Sequence, residues 1–194
     1  MRVNEIFYSI QGEGAHSGEA AVFIRFSGCN LCCPFCDTEH LSYTDLTEDE
    51  IVSEVAGYPA SLVVITGGEP TLQLTPSLVG KLHEAGKTVA IETNGTREVP
   101  YNVDWVTVSP KLPFVGHAGA LAIKTAQEVK IVFDGTTLYE DPSFGIAASH
   151  YFIQPCDTGD EIRNGEIVNQ CVEFIKNNPQ WKLSLQLQKI LNVR

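Results

Sequence analysis

Strand-like and helix-like segments alternate along this chain, and this alternation limits its fold more than any other feature. Short apolar runs rich in β-branched residues predict strands over residues 20–26, 62–65, 89–91, 105–108, 129–133, 151–153 and 183–187. Helix start signals lie between some of these runs. Thr47 and Glu50 form a capping box, and Pro76 follows Thr75 as a first helical residue. Strands that alternate with helices build a parallel sheet through right-handed crossovers.

The length of the chain narrows this α/β fold further. A complete (β/α)₈ barrel typically needs roughly 250 residues. This chain has 194 residues, and residues 110–127 show no clear helical period. We therefore expect one domain over residues 1–194 that forms an incomplete parallel (β/α) barrel with reduced helices. A doubly wound open sheet is the alternative.

The amino-acid composition excludes several classes of partner. The sequence has 13 Lys and Arg residues against 24 Asp and Glu residues, which gives a formal net charge of −11. A field of this sign repels nucleic-acid phosphates and anionic membrane surfaces. No apolar run approaches the roughly 20 residues of a membrane span, and the first residues lack the apolar core of a secretory signal. We therefore expect a soluble cytoplasmic protein that binds neither nucleic acid nor membranes.

Polar, cysteine-rich or glycine-rich segments come directly after five of the predicted strands. They occupy residues 29–36, 66–70, 92–95, 109–111 and 154–157. The carboxyl ends of parallel strands meet at one edge of a sheet or barrel, where α/β proteins build their sites. We therefore expect these segments to contribute to one shared site.

Four of the six cysteines, Cys29, Cys32, Cys33 and Cys36, lie within eight residues. In a cytosolic chain such a group indicates metal binding or redox chemistry rather than disulfides. Structural zinc usually takes two separated pairs of ligands, and the sequence has no second pair. The C-x₃-C-x₂-C spacing of Cys29, Cys33 and Cys36 suits an iron–sulfur cluster with one open iron. Zinc and a thiol redox site remain the alternatives.

Two of these segments resemble the signatures of one superfamily. Cys29, Cys33 and Cys36, with Phe35 before the last cysteine, resemble the cluster motif of the radical S-adenosylmethionine (SAM) enzymes. Residues 66–70 resemble the segment with which those enzymes hold the methionine amino group of SAM. Further motifs narrow the resemblance, over residues 5–194, to the 7-carboxy-7-deazaguanine synthase family. These motifs occupy residues 10–14, 25–31, 36–38, 92–95, 109–111, 154–155 and 183–186.

This resemblance implies a lyase that breaks a carbon–nitrogen bond and releases ammonia. The implied reaction converts 6-carboxy-5,6,7,8-tetrahydropterin to 7-carboxy-7-deazaguanine, on the route to queuosine and related deazapurines. The implied cofactors are a [4Fe-4S] cluster, SAM and Mg²⁺, with a flavodoxin or ferredoxin as reductant. The radical derived from SAM would take a hydrogen from the substrate and later recover it. Because an incomplete barrel needs cover for its open side, we also expect a homodimer.

The resemblance also assigns residues to these ligands. Cys29, Cys33 and Cys36 would ligate the cluster, and Thr38 would ligate Mg²⁺ unless it only caps a turn or helix. The residues assigned to SAM are Gly67, Gly68, Glu69, Ser109, Pro110, Lys111, Gln154, Pro155, Cys156 and Asp157. The residues assigned to the substrate are Ile10, Gln11, Gly12, Glu13, Arg25, Thr66 and Arg194.

Elementary chemistry supports some of these assignments. Gly67 and Gly68 suit a backbone that approaches a ligand closely, although a plain turn is the alternative. Arg25 lies inside an apolar strand, where an unpaired charge is costly, so it needs either a ligand carboxylate or an acidic protein partner. Lys111 is either a SAM contact or a solvated surface residue, and residues 11–14 are either a pterin contact or a polar turn.

The sequence departs from the family pattern at two points. Gln188, next to Lys189, stands where the family often has a histidine that contacts the substrate. Cys32 is an additional thiol in the cluster loop, and we expect it to be a bystander. We also expect Cys156 and Cys171 to act mainly as small packing residues.

Two other functions remain in competition. One is another small radical SAM enzyme, such as a glycyl-radical-activating enzyme, which shares the cysteine spacing but not residues 11–14 or the tail. The other is a non-catalytic iron–sulfur or zinc module for electron transfer or assembly. Such a carrier has no need of a nucleoside-like pocket, so residues 67–70 argue against it.

Overall fold

The computed structural model describes residues 1–136 and 141–194, and in these ranges nine strands join into one sheet. The order across the sheet is β3-β1-β2-β4-β5-β6-β7-β8-β9. The strands are β1 (Arg2–Ile10), β2 (Ala20–Phe26), β3 (Thr44–Asp45), β4 (Leu62–Gly67), β5 (Thr88–Thr93), β6 (Trp105–Val108), β7 (Thr125–Phe133), β8 (Ala147–Pro155) and β9 (Trp181–Leu183).

The helices between these strands are few and mostly short. They are α1 (Glu48–Ala56), α2 (Pro76–Glu84), α3 (Leu112–Val115), α4 (Glu161–Asn177) and α5 (Leu187–Leu191). The predicted capping box is present: Thr47 Oγ1 accepts from the Glu50 amide at 3.2 Å, and Glu50 Oε2 accepts from the Thr47 amide at 2.8 Å. Pro76 begins α2, and Thr75 caps it.

The strands β2 and β4–β9 are parallel, and only β1 runs against them. β1 pairs antiparallel with β2, and β3 pairs antiparallel with β1. The carboxyl ends of the parallel strands therefore share one edge. Because β3 and β9 lie at opposite ends of the strand order, the sheet is open, as in an incomplete barrel. The expected fold class is confirmed.

The structure differs from the expected elements at both ends of the chain. β1 has no counterpart among the predicted strands, because it runs antiparallel near an edge of the sheet and is only partly buried. Residues 183–187 do not form one strand. β9 ends at Leu183, the Ser184 amide donates to the Ile153 carbonyl at 3.0 Å, and the chain then turns into α5. Alternating leucines gave this segment a strand pattern that its packing overrides.

The apolar core lies on both faces of the sheet. Helices α1 and α2 pack their apolar residues against strands β2, β4 and β5. Helix α4 packs its apolar residues against β8 and β9. The inner face carries a smaller cluster, in which the Phe7 and Phe23 rings stack with centroids 4.8 Å apart. In the described part of the chain, none of the helices has the length and apolar character needed to cross a bilayer.

Candidate functional site

A cavity of about 780 Å³ opens at the carboxyl ends of the parallel strands. Every predicted site residue lines it except Glu69 and Pro110. The structure therefore brings together the cysteine loop after β2, the glycine segment at the end of β4, the polar segment after β6 and the polar segment at the end of β8. It also brings in residues 10–13, at the end of β1, and the end of the chain.

The cysteine loop presents three of its thiols to this cavity. Cys29, Cys33 and Cys36 line it, whereas Cys32 is exposed and does not. The buried side chain of Leu31 anchors the loop, and the Cys36 amide donates to the Cys33 carbonyl at 3.2 Å. Burial raises the pKa of Cys29 and of Cys33, so both thiols favour the neutral form until a cation binds them.

The donor set fits an iron–sulfur cluster better than a single ion. Within residues 1–136 and 141–194, no three His, Cys, Asp or Glu side chains are grouped as ligands of one metal ion. A four-iron cluster makes a different demand, because each of its thiolate ligands bonds to a different iron atom. Three soft sulfur donors on one loop that line the same cavity suit that demand.

The glycine segment packs against the start of the cysteine loop. An ideal Cβ on Gly67, whose φ is +138°, would lie 2.1 Å from the Phe26 carbonyl oxygen. One on Gly68 would lie 2.2 Å from the Gly28 carbonyl oxygen. The Glu69 amide donates to that same Gly28 carbonyl at 2.9 Å. Glycine is therefore required here by backbone packing, which fixes the cavity wall beside Cys29.

Glu69 lies behind the wall instead of on it. Its side chain is fully buried, and Oε1 accepts from the Thr93 hydroxyl at 2.7 Å and from the Thr71 hydroxyl at 2.6 Å. Oε2 accepts from the Asn94 amide at 2.8 Å. Glu69 thus ties the end of β4 to the end of β5, and its effect on a bound ligand passes through the residues it holds.

The segment after β6 brings a lysine into the cavity. Lys111 Nζ donates to the Ser109 hydroxyl at 2.5 Å and to the Ser109 carbonyl at 3.1 Å. Burial lowers the pKa of Lys111 to about 8. Lys111 is therefore a partly dehydrated cation on the cavity wall, and Pro110 between the two residues only shapes the turn.

The segment at the end of β8, residues 154–157, is held by two sets of contacts. Gln154 Oε1 accepts from the Ser184 hydroxyl at 3.0 Å. Asp157 Oδ2 lies 3.0 Å from Lys189 Nζ, and the same nitrogen lies 2.8 Å from Asp37 Oδ2 in the cysteine loop. Lys189 of α5 therefore joins both sides of the cavity. Cys156 is buried, and burial raises the pKa of its thiol.

Arg25 has an acidic partner on the neighbouring strand. Its Nε donates to Glu5 Oε1 at 2.8 Å across the β1–β2 pair, and its guanidinium lies over the Phe7 ring. The Arg194 guanidinium reaches the other Glu5 oxygen and also lies over Phe7. Two positive groups therefore share one carboxylate. Among the described residues, none hydrogen-bonds to the terminal nitrogens of Arg25, which leaves its planar fork for a ligand.

Glu13 belongs to a buried ionic cluster at the bottom of the cavity. Lys130 Nζ lies 2.7 Å from Glu13 Oε2 and 2.9 Å from Glu92 Oε2. Burial alone would raise the pKa of Glu13, but the Lys130 charge and hydrogen bonds from Lys130, Gln188 and Gln186 lower it to about 2. Glu13 is therefore an ionised hydrogen-bond acceptor. Gln188, in the place of the family's histidine, supports it through Nε2 at 3.0 Å.

Thr38 lies two residues after the last cysteine of the loop and lines the cavity. It does not begin a helix, since the next element is the short strand β3. Gln11 and Thr66 line the same cavity, and Gln11 Nε2 donates to Glu92 Oε1 at 3.2 Å. Thr38 thus offers a hydroxyl oxygen to the same cavity that the cysteine loop and Arg25 line.

Sequence reasoning did not assign a role to six charged residues that line the cavity: Glu5, Asp37, Glu39, Glu92, Lys130 and Lys189. Lys130 carried a usable signal, because it lies inside the apolar strand segment over residues 129–133, as Arg25 does in β2. Glu92 was noticed only as part of a motif. Glu5 lies in a segment with no distinctive pattern, and Lys189 was noted only as the neighbour of Gln188.

Comparisons with known proteins agree with this geometry. Residues 23–111 match the model of the Radical SAM superfamily. A 7-carboxy-7-deazaguanine synthase of Bacteroides thetaiotaomicron is 49% identical over 195 residues, covering 100% of this chain and 98% of that protein. A synthase of the same name from Nitratidesulfovibrio vulgaris is 37% identical and covers 99% of this chain and 98% of its own length.

One solved structure has a similar fold. The crystal structure of QueE from Escherichia coli superposes with a TM-score of 0.75 at 27% identity, covering 95% of this chain and 93% of that one. The superfamily match implies an enzyme that uses a [4Fe-4S] cluster and SAM. Because these relatives match over nearly their full length, the chain belongs to the 7-carboxy-7-deazaguanine synthase family of radical SAM enzymes.

Proposed function

We propose that this chain converts 6-carboxy-5,6,7,8-tetrahydropterin to 7-carboxy-7-deazaguanine with release of ammonia, in the biosynthesis of queuosine and other 7-deazapurines. The observation that carries the proposal is that one cavity combines three cysteine thiols, the free fork of Arg25 and the ionised carboxylate of Glu13. The named relatives support it over the full chain.

The proposed cluster ligands are Cys29, Cys33 and Cys36, which line the cavity on one loop. When bound, the reduced cluster and SAM supply the radical that removes a hydrogen from the substrate. The loop's task is to hold the cluster at the mouth of the cavity. Leu31 does this by packing into the interior, and the glycine segment does it through hydrogen bonds to residues 26 and 28.

Most of the proposed SAM contacts line the same cavity as the cysteine loop. Gly67 and Gly68 offer backbone at the wall, and Lys111 offers a charge held by Ser109. Glu69 and Pro110 act from behind the wall by fixing the segments that contact SAM. The remaining proposed contacts are Gln154, Pro155, Cys156 and Asp157.

The proposed substrate contacts match a small, planar, carboxylated ring. The terminal nitrogens of Arg25 form a planar pair of donors that suits a carboxylate. Glu13, an ionised acceptor, suits the amine and amide N–H groups of a pterin edge. The other proposed contacts are Ile10, Gln11, Gly12, Thr66 and Arg194, which all line the cavity.

We also propose a magnesium site at Thr38. A neutral hydroxyl is a weak ligand by itself, and Mg²⁺ keeps several waters and takes carboxylate oxygens readily. The substrate carboxylate would complete the site, so the ion should bind well only with substrate present. The position of Thr38 on the cavity rim supports this assignment.

Further proposals concern the setting of the reaction. The net charge of −11 supports a protein that works in the cytoplasm without nucleic-acid or membrane partners. The open sheet supports a homodimer, in which a second copy covers an exposed side. A flavodoxin or ferredoxin would supply the electron, and residues 1–194 would act as a single domain.

The test is conversion of the tetrahydropterin by the anaerobically reconstituted protein. We expect 7-carboxy-7-deazaguanine by mass spectrometry and an equal amount of ammonia. Formation of 5′-deoxyadenosine without the deazaguanine would indicate a different radical SAM substrate. Formation of neither, by protein with a full complement of iron and sulfide, would indicate a non-catalytic iron–sulfur module.

A further inference from the structure

Lys130 is a buried cation that bridges two carboxylates at the substrate end of the cavity. It is 4% exposed, and its Nζ contacts Glu13 at 2.7 Å and Glu92 at 2.9 Å. Both carboxylates line the cavity. A lysine at this depth is costly unless it is paired, and here it has two partners for one charge.

The two carboxylates are not equivalent. Glu13 receives hydrogen bonds at 2.7 Å from Lys130, at 3.0 Å from Gln188 and at 3.1 Å from Gln186. Glu92 receives one from Lys130 at 2.9 Å and a longer one from Gln11 at 3.2 Å. Because the ionised form gains most from added donors, Glu13 takes the negative charge, and Glu92 is the member of the pair that accepts a proton.

The groups around Glu92 strengthen this division. Burial, together with the charges of Glu13 and Glu128, outweighs Lys130 and raises the pKa of Glu92 to about 7. Glu128 lies on β7 with Lys130, and its Oε2 accepts from the Ala15 amide at 2.9 Å. Lys111 also lines the cavity, and its charge interacts with that of Glu92. The cluster therefore leaves one carboxyl able to change its protonation state near neutral pH.

We propose that Lys130 is a positioning residue that fixes Glu13 as an acceptor and keeps Glu92 as the carboxyl that exchanges a proton with the bound substrate. This inference rests on the proposed function. It assigns a role to Glu92 and Lys130, because the conversion requires a proton transfer. The tetrahydropterin contains the same atoms as 7-carboxy-7-deazaguanine and ammonia together, so the net conversion requires no external oxidant or reductant. Hydrogen must nevertheless pass from carbon to the departing nitrogen.

Glu92 can carry one such proton. As a carboxylate it takes a proton from a carbon of the contracting ring, and the electrons of that C–H bond form a ring double bond. The C–N bond breaks at the same time, and its electrons leave with the nitrogen. Glu92 then returns its proton to that nitrogen, so it is regenerated with its original charge. The ionised form starts the step, so the rate should fall as the pH drops below about 7.

The test compares Glu92→Gln, Lys130→Met and Lys130→Arg with the wild-type enzyme. Glu92→Gln keeps the shape but carries no proton, and we expect kcat to fall about 100-fold or more while KM changes little. Lys130→Met should move the acidic limb of the pH–rate profile upward by about one pH unit or more, because Glu92 loses its counter-charge. Lys130→Arg keeps the charge and should restore the position of that limb.

Controls separate this role from a structural one. Lys87→Met removes a lysine that donates to the Tyr58 and Ala60 carbonyls and does not line the cavity, so it should leave the pH profile unchanged. Iron content and circular dichroism report whether each variant folds. A carboxyl infrared band that titrates near pH 7 in the wild type and is missing in Glu92→Gln would support the assignment without any turnover.

The outcomes are distinct. A wild-type enzyme that makes no deazaguanine overturns the proposed function. Wild-type turnover with Glu92→Gln still near full kcat overturns the inference alone. So does a Lys130→Met enzyme that loses rate equally at every pH, since that is the behaviour of a merely structural residue.

Discussion

Arg25 Nε lies 2.8 Å from Glu5 Oε1, directly across the β1–β2 pair. This ion pair uses only the Nε of Arg25 and none of its terminal guanidinium nitrogens. The two terminal nitrogens therefore keep their donors for a carboxylate in the cavity, and Glu5 fixes their direction. A structural ion pair and a substrate contact are thus compatible roles of one residue.

The first prediction concerns this guanidinium. Arg25→Lys keeps the charge but removes the planar pair of donors, so one charge-assisted hydrogen bond worth roughly 1.5–3 kcal/mol is lost. We expect substrate affinity to fall about 10- to 150-fold by titration, with normal iron content. Arg97→Lys, at an exposed position away from the cavity, is the matched control. Unchanged affinity in Arg25→Lys would mean that the carboxylate is held elsewhere.

Arg25 and Lys130 also show how far the sequence could predict the site. Both are charges inside apolar strands, and that pattern signals a need for partners. The partners of Lys130 lie 117 and 38 residues away in sequence, so no local pattern names them. The strand ends, by contrast, were predictable, because buried parallel strands are apolar on both faces and end abruptly in polar segments.

The parts that sequence reasoning missed are those decided by tertiary contacts. β1 runs antiparallel and only partly buried, so its pattern resembles a surface segment. The tail enters the site because the Leu187 amide donates to the Gly12 carbonyl at 3.1 Å and Lys189 bridges Asp37 and Asp157. Neither contact follows from the residues of the tail themselves.

The second prediction tests the packing of the glycine segment. Gly68→Ala would place a Cβ 2.2 Å from the Gly28 carbonyl oxygen and 2.8 Å from the Cys29 Cβ, so the backbone of the cysteine loop would have to shift. We expect the unfolding free energy of the apo-protein to fall by about 1–3 kcal/mol in urea, with less iron bound after reconstitution. Gly80→Ala is the control, since its Cβ meets nothing within 4 Å in α2. That variant should gain about 1 kcal/mol.

The third prediction uses the titration of Glu92. Its pKa is raised to about 7 in the folded protein from an ordinary value of 4.5, so the folded state binds the proton more tightly. Because of this group, the unfolding free energy of the wild type should therefore fall as the pH rises from about 4.5 to 7. Glu92→Gln removes that loss.

The measurement is urea unfolding of both apo-proteins at pH 5 and pH 8. The advantage of Glu92→Gln over the wild type should be larger at pH 8 than at pH 5, by up to about 3 kcal/mol. The opposite sign, or a difference independent of pH, would show that Glu92 is ionised throughout this range.

The fourth prediction concerns magnesium. Mg²⁺ should stimulate turnover, and Thr38→Ala should weaken the stimulation and raise the Mg²⁺ concentration needed, because the rim loses an oxygen donor. Thr38→Ser keeps the hydroxyl and should behave much like the wild type. Equal rates of wild type and Thr38→Ala with and without chelator would remove Thr38 from the metal site.

The most direct test of the account is whether the reaction depends on a cluster held by Cys29, Cys33 and Cys36. Iron, sulfide and deazaguanine formation should be measured together for single alanine variants of these residues and of Cys32, which does not line the cavity. We predict a four-iron cluster in the wild type, no product from the three cavity variants, and most of the activity in Cys32→Ala. A zinc-only protein, or an inactive Cys32→Ala beside an active Cys33→Ala, would contradict the account.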